Sequence, residues 1–314
     1  MKTNVNNVSL ALLIGIFSAM GVYAQPNPDV KDIVVSIKPI ALIVDDLLAD
    51  RANVRVLVQP GSSPHDFSLR VSDMAAISKA DLLIWMGPEL EHFLQRPVRQ
   101  KLSKQVLTLT ENAEDKEQGK SAGSDHEHGD DPHIWLDPEQ AQQMANKIAQ
   151  FLIEQSPEQE AFIRRQLERV LGDYRNLALE LEETFLPHKQ TPFLVYHDGY
   201  HYLVEAFNLN QLAWITRSPE QAVGAKRLYE LQQLLAAYDV SAEKRPGSES
   251  DKLLRPRCLF VESTHHSSSV KNIAKRLALQ TYALDLLAAD EAITSYRQLM
   301  TNIAEAMSAC FAAD

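Results

Sequence analysis

Apolar and polar positions along this chain fall into blocks whose period switches repeatedly between strand-like and helix-like. Short apolar runs stand at DIVVSI (32–37), VRVLV (54–58), DLLIWMG (81–87) and QVLTLT (105–110). Helically spaced stretches separate them: PIALIVDDLLA (39–49), LRVSDMAAISKA (69–80) and PELEHFLQRPVRQKL (88–102). The alternation resumes with TPFLVY (191–196), HYLVEAFNL (201–209), LAWIT (212–216) and PEQAVGAKRLYELQQLLAAY (219–238). It closes with RCLFVE (257–262), VKNIAKRLALQ (270–280), TYALDL (281–286) and SYRQLMTNIAEAMSACF (295–311). Strands alternating with helices of this length imply βαβ units and mostly parallel sheets.

Between the two series, apolar residues at Phe162, Ile163, Leu167, Val170, Leu171, Tyr174, Leu177 and Leu181 keep helical spacing. Ser156 and Pro157 suit an N-cap and first helical position. The pattern predicts a linking helix over 156–187 between two similar α/β lobes, each a mostly parallel sheet flanked by helices. The N-terminal lobe would span 25–155 and the C-terminal lobe 188–314. Two segments are poor in apolar residues: the acidic stretch 111–131, which contains His126 and His128, and a surface insertion at 241–256.

The first 24 residues read as a cleaved export signal. Lys2 precedes the apolar run VSLALLIGIFSAMGV, and Val22-Tyr23-Ala24 places small residues at the −3 and −1 positions. A periplasmic destination is expected. The formal net charge of −11 argues against a nucleic-acid or anionic-membrane partner and fits cation handling. An even cysteine pair in an exported chain, Cys258 and Cys310, reads as a disulfide. With no CxxC spacing, redox catalysis is not expected.

Metal-capable side chains stand in four separate stretches: His65 in GSSPHDFS, His133 in DPHIWLDP, His197 in VYHDGY and Asp285 in YALDLLAAD. His197 and Asp285 close apolar runs, and His65 lies in the loop after another. The carboxyl ends of parallel strands are where ligands gather, so these residues could converge on one ion. Three imidazoles and a carboxylate suit zinc better than manganese or iron. Asp66, Asp198 and Glu262 are positioned to orient the imidazoles.

His201, four residues after His197, and His265-His266, after the RCLFVES run, compete as ligands. His92 and His188 have no constellation around them. The tract Asp125-His126-Glu127-His128 is a candidate for loose metal gathering. HExxH, GxSxG, GxxxxGK[ST] and GxGxxG are all missing. A four-ligand site would leave no open position for a substrate, which points away from an enzyme.

GSSPHDFSLRVSDMAAISKADLLIWMGPELEHFL, DPHIWLDPEQA, VYHDGYHYLVEAF, SPEQAVGAKRL, CLFVES and ALDLLAAD occur in that order. Together they resemble the cluster A-I solute-binding proteins of ABC metal importers, of the periplasmic zinc-binding ZnuA type, over nearly the whole chain after the signal. The resemblance implies two lobes joined by a rigid helix with the ion between them. It also implies zinc as transported ligand, a membrane permease as partner, and His65, His133 and His197 as ligands. Asp285 or water would complete the shell. Manganese-binding relatives carry Glu where His197 stands, so imidazole there leans towards zinc. The chain is expected to act as a monomer. A manganese or iron carrier, an exported zinc hydrolase with Glu262 as general base, and an adhesin-like or zinc-buffering protein are the competing readings.

Overall fold

The computed structural model describes residues 32–100, 102–110, 131–217, 222–243, 255–265 and 267–313. Residues 1–24, expected to be an export signal, lie outside them with His126, His128 and His266, as does most of the 241–256 insertion.

The first sheet contains β1 (Asp32–Val35), β2 (Asn53–Val56), β3 (Leu82–Trp85) and β4 (Gln105–Thr108), in the order β2-β1-β3-β4. The second contains β5 (Phe193–His197), β6 (Gln211–Thr216), β7 (Cys258–Glu262) and β8 (Gln280–Leu284), in the order β6-β5-β7-β8. Every pairing is parallel. The two orders are equivalent, so each lobe has a switch point where successive crossovers leave in opposite directions. β3 and β5 are buried along their whole length, as central strands covered on both faces must be.

Helices α1 (Lys38–Leu48), α2 (Val71–Lys79), α3 (Gln95–Arg99) and α4 (Pro138–Gln155) belong to the first lobe. The spine follows as α5 (Glu160–Phe185), whose 26 residues extend about 39 Å at 1.5 Å per residue. Pro157–Gln159 forms a separate 3₁₀ turn ahead of it, and the Ser156 side chain caps neither. The second lobe carries α6 (His201–Phe207), α7 (Ala225–Glu243), α8 (Ser268–Arg276) and α9 (Tyr296–Phe311). Because α7 runs to Glu243, the first three positions of the expected insertion are helical.

The spine is more than a tether. Its apolar face (Ile163, Val170, Tyr174, Leu177, Leu181, Phe185) is buried in one core that also takes in α1 and α4 from one lobe and α9 from the other. Smaller apolar clusters back the outer faces of the two sheets. Polar ties reinforce the junction. The Tyr174 hydroxyl donates to Asp46 at 2.8 Å and its ring stacks on Tyr296 at 4.6 Å. Arg297 bonds Asp173 and Glu180 on the spine.

Glu91 is fully buried, with its carboxylate accepting the backbone N–H groups of Met86 and Gly87 at 3.2 and 2.9 Å. Burial, outweighing these hydrogen bonds, pushes its pKa up to about 7. The folded state therefore holds a proton that the unfolded chain gives up from about pH 4.5, and Glu91 costs stability as pH rises through about 7. Glu91→Gln should gain on the wild type between pH 5 and pH 8, by roughly 2–3 kcal/mol at the upper end. Urea unfolding at the two pH values would refute this if the difference between the proteins stayed constant.

Candidate metal centre

Three separate segments, a loop after β2, the turn before α4 and the carboxyl end of β5, deliver three imidazoles to one place. His65 lies on the loop after β2, where Gly61 adopts a positive φ of 81° and lets the chain turn. The His65 backbone N–H donates to Ser63 Oγ at 3.2 Å, bracing the loop. His133 precedes the 3₁₀ turn Ile134–Leu136 that leads into α4, which Asp137 caps by accepting Glu139 N–H at 2.7 Å. His197 is the last residue of β5, in register with Thr216.

The three ring centroids are 5.1–5.5 Å apart, and one donor atom from each imidazole lies within 4.8 Å of the others. His133 and His197 are buried and His65 is half-buried. Among the described residues no other group of three metal-capable side chains brings one donor atom each within 4.8 Å of the others.

Carboxylates set the direction of two rings. Glu262, at the end of β7, meets His197 Nδ1 at 2.6 Å, and Asp131 meets His133 Nδ1 at 2.6 Å. Ionised carboxylates only accept, so each Nδ1 carries the hydrogen and each Nε2 presents its lone pair. Burial raises both acids, but the facing histidines outweigh it: His133 holds Asp131 below the usual carboxylate range, and His197 with His265 holds Glu262 far below it. Both carboxylates are therefore ionised at neutral pH.

Of the three candidates for orienting the imidazoles, Glu262 holds His197. Asp66 is exposed, on the wall of a polar cleft shared with Ser63 and His265. The N-cap position of α6 is Tyr200, and the Asp198 N–H continues the strand pairing onto the Thr216 carbonyl. Asp131 was missed, although an Asp two residues before a His, with Pro between, is a visible signal. Gly199 was missed too. A Cβ there would lie 2.7 Å from His197 Cε1 and 2.8 Å from His133 Cε1, so the two rings leave room only for hydrogen. Gly199→Ala should weaken metal binding about tenfold, the lower end of what disturbing supporting residues costs. A competition titration showing a change under twofold would refute this.

Asp285 is not one of the three side chains in the cluster. Its oxygens accept the N–H groups of Ala289 and Asp290 at 2.8 and 2.9 Å, closing a turn after β8. That turn is tied to the first lobe: Trp135 Nε1 donates to Leu286 O at 3.0 Å, and Lys38 Nζ to Asp290 O at 2.9 Å. Trp135 in turn packs against the His133 ring at 5.0 Å.

The competing histidines lie nearby but outside the cluster. His201 opens α6 with its ring on Glu205, and His265 meets the second Glu262 oxygen at 3.1 Å. His92 contacts Gln95 and His188 stacks near Phe311. The expected disulfide is present between Cys258 and Cys310, with Cα atoms 6.2 Å apart.

The chain matches the family described as "ZnuA: Zinc-uptake complex component A periplasmic" across residues 33–310. It belongs to the ZnuA family. A relative from Haemophilus ducreyi named "High-affinity zinc uptake system protein ZnuA" is 28% identical, covering 93% of this chain and 96% of that one. Another of that name, from Yersinia pestis, is 28% identical over 81% of this chain and 82% of the relative. Among solved structures, the Streptococcus pneumoniae AdcAII protein superposes with a TM-score of 0.68 at 26% identity, covering 90% of this chain and 97% of that one. The ZnuA-family fold thus accounts for both lobes and the spine.

Proposed function

We propose that this protein captures zinc between its lobes and delivers it to the membrane permease of an ABC importer. The observation that carries the reading is the convergence of His65, His133 and His197 from three separate segments, with two of the imidazoles oriented by ionised carboxylates. Tetrahedral zinc at bond lengths of about 2.0–2.1 Å needs donors roughly 3.3 Å apart, so side-chain shifts of about an ångström would complete the site. The names of the relatives support zinc as cargo. Their family description supports a periplasmic carrier, and residues 1–24 are read as its export signal from their sequence pattern.

For the fourth position, the two backbone N–H groups on Asp285 favour water over its carboxylate. The carrier reading is also favoured over hydrolysis, because both oxygens of Glu262, the one base candidate, are committed to His197 and His265.

The test is a competition titration of zinc against manganese. The wild type should prefer zinc, and His197→Glu should move the preference towards manganese, because a carboxylate is the harder ligand. Asp285→Ala should keep zinc affinity within about fivefold, far less than the loss of an imidazole ligand would cost. Unchanged selectivity in His197→Glu would remove that residue from the site.

A further inference from the structure

Asp131 touches both halves of the site. Its Oδ1 accepts the His133 backbone N–H at 2.9 Å as well as Nδ1–H at 2.6 Å. Its Oδ2 accepts the backbone N–H of His201, in the other lobe, at 3.3 Å. The carboxylate is buried, with 8% of its side chain exposed. Gly199, in the same turn of the second lobe, presses against the opposite partner of this pair, the His133 ring. The segment that carries His197 therefore rests on His133 and Asp131 through two independent contacts.

We infer that Asp131 is a positioning residue that couples the orientation of His133 to the apposition of the two lobes. The inference rests on the zinc-carrier reading above. One oxygen aims an N-lobe imidazole at the ion, and the other holds the C-lobe turn from which His197 emerges. Moving the lobes apart stretches the Oδ2 bond and loosens the support of His133 together with it. Release of zinc and separation of the lobes thereby become a single event.

Two substitutions separate the two tasks. Asp131→Ala removes both acceptors. Asp131→Asn keeps an amide oxygen for His133 Nδ1–H but turns an NH₂ group, which cannot accept, towards the His201 N–H. Zinc affinity should fall about 10–100-fold in Asp131→Ala, the usual range for lost carboxylate support of a metal-bound histidine. Asp131→Asn should lose less. Stopped-flow release into a chelator should show dissociation fastest in Asp131→Ala, intermediate in Asp131→Asn and slowest in the wild type. Capture rates should stay close together, since access to the cleft is unchanged. With cobalt as the probe, the visible absorption band should keep its wild-type form in Asp131→Asn and change in Asp131→Ala.

Asp131→Ala binding zinc within twofold of the wild type would overturn the inference, as would equal dissociation rates in the two variants. Should Asp131→Ala fail to fold, as judged by its metal-free unfolding midpoint, Asp131→Asn decides alone: a wild-type dissociation rate overturns the proposal. A wild-type protein without zinc affinity overturns the carrier reading and this inference with it.

Discussion

Replacing His133 with alanine should lower zinc affinity by about 10²–10³-fold. Four-ligand zinc sites are worth about 10–16 kcal/mol, so one ligand carries roughly a quarter of that, and each 1.4 kcal/mol is tenfold. His133 is the ligand candidate with the most support around it: Asp131 on Nδ1, Trp135 beside the ring, and Gly199 against its edge. Its removal leaves Asp131 buried without its main counter-group, so no rearranged side chain replaces the lost donor cheaply. His201→Ala is the internal control, because that ring is turned to Glu205 and lies outside the cluster. It should stay within about threefold of the wild type, well below the cost of a lost ligand. Competition against a chelator of known affinity measures both. A His133→Ala protein that binds as tightly as the His201→Ala control would remove His133 from the site.

Loss of the Cys258–Cys310 bridge should cost the folded protein about 4 kcal/mol, from the chain-entropy value for a loop closed across a separation of 52 residues. The bond joins the start of β7, a central strand, to the last turn of α9. Both cysteines are buried, at 2% and 3% exposure, so Cys258→Ala with Cys310→Ala also leaves small voids in the core. Denaturant unfolding of the double variant against the oxidised wild type reads the loss directly. Zinc affinity of the folded double variant should remain within about threefold, because neither sulfur lies among the clustered donors. A stability loss below about 1 kcal/mol would refute the entropic account. A large affinity loss would give the sulfurs a role at the metal.

Much of the architecture was legible in local sequence. A switch between periods of about two and 3.6 residues marks each strand and helix, since burial of one face follows directly from backbone geometry. The spine was equally plain, because its apolar stripe from Ile163 to Leu181 is long and regular. Its start was not: Ser156 and Pro157 carry a start signal, yet the chain makes a 3₁₀ turn before the helix proper. The equivalence of the two lobes left no visible sequence repeat. Sheet order is a property of how crossovers pack, and many different residues satisfy the same packing.

At the metal centre, the residue types, and for all but His133 a position at or after a strand end, already singled out His65, His133, His197 and Asp285 as candidates. The sequence by itself determined the donors on offer, the alternation of elements and the cysteine pair. Those are properties of single residues and of short-range period. Only the tertiary structure decided which donors meet. It drew three imidazoles together and gave the Asp285 oxygens the N–H groups of Ala289 and Asp290 in their own turn. It gave Asp131 an acceptor role in both lobes and made Gly199 the gap through which two rings approach. Distances of a few ångströms between residues some 65 to 130 positions apart follow from the packing of two lobes on a shared core. No local pattern in the chain encodes them.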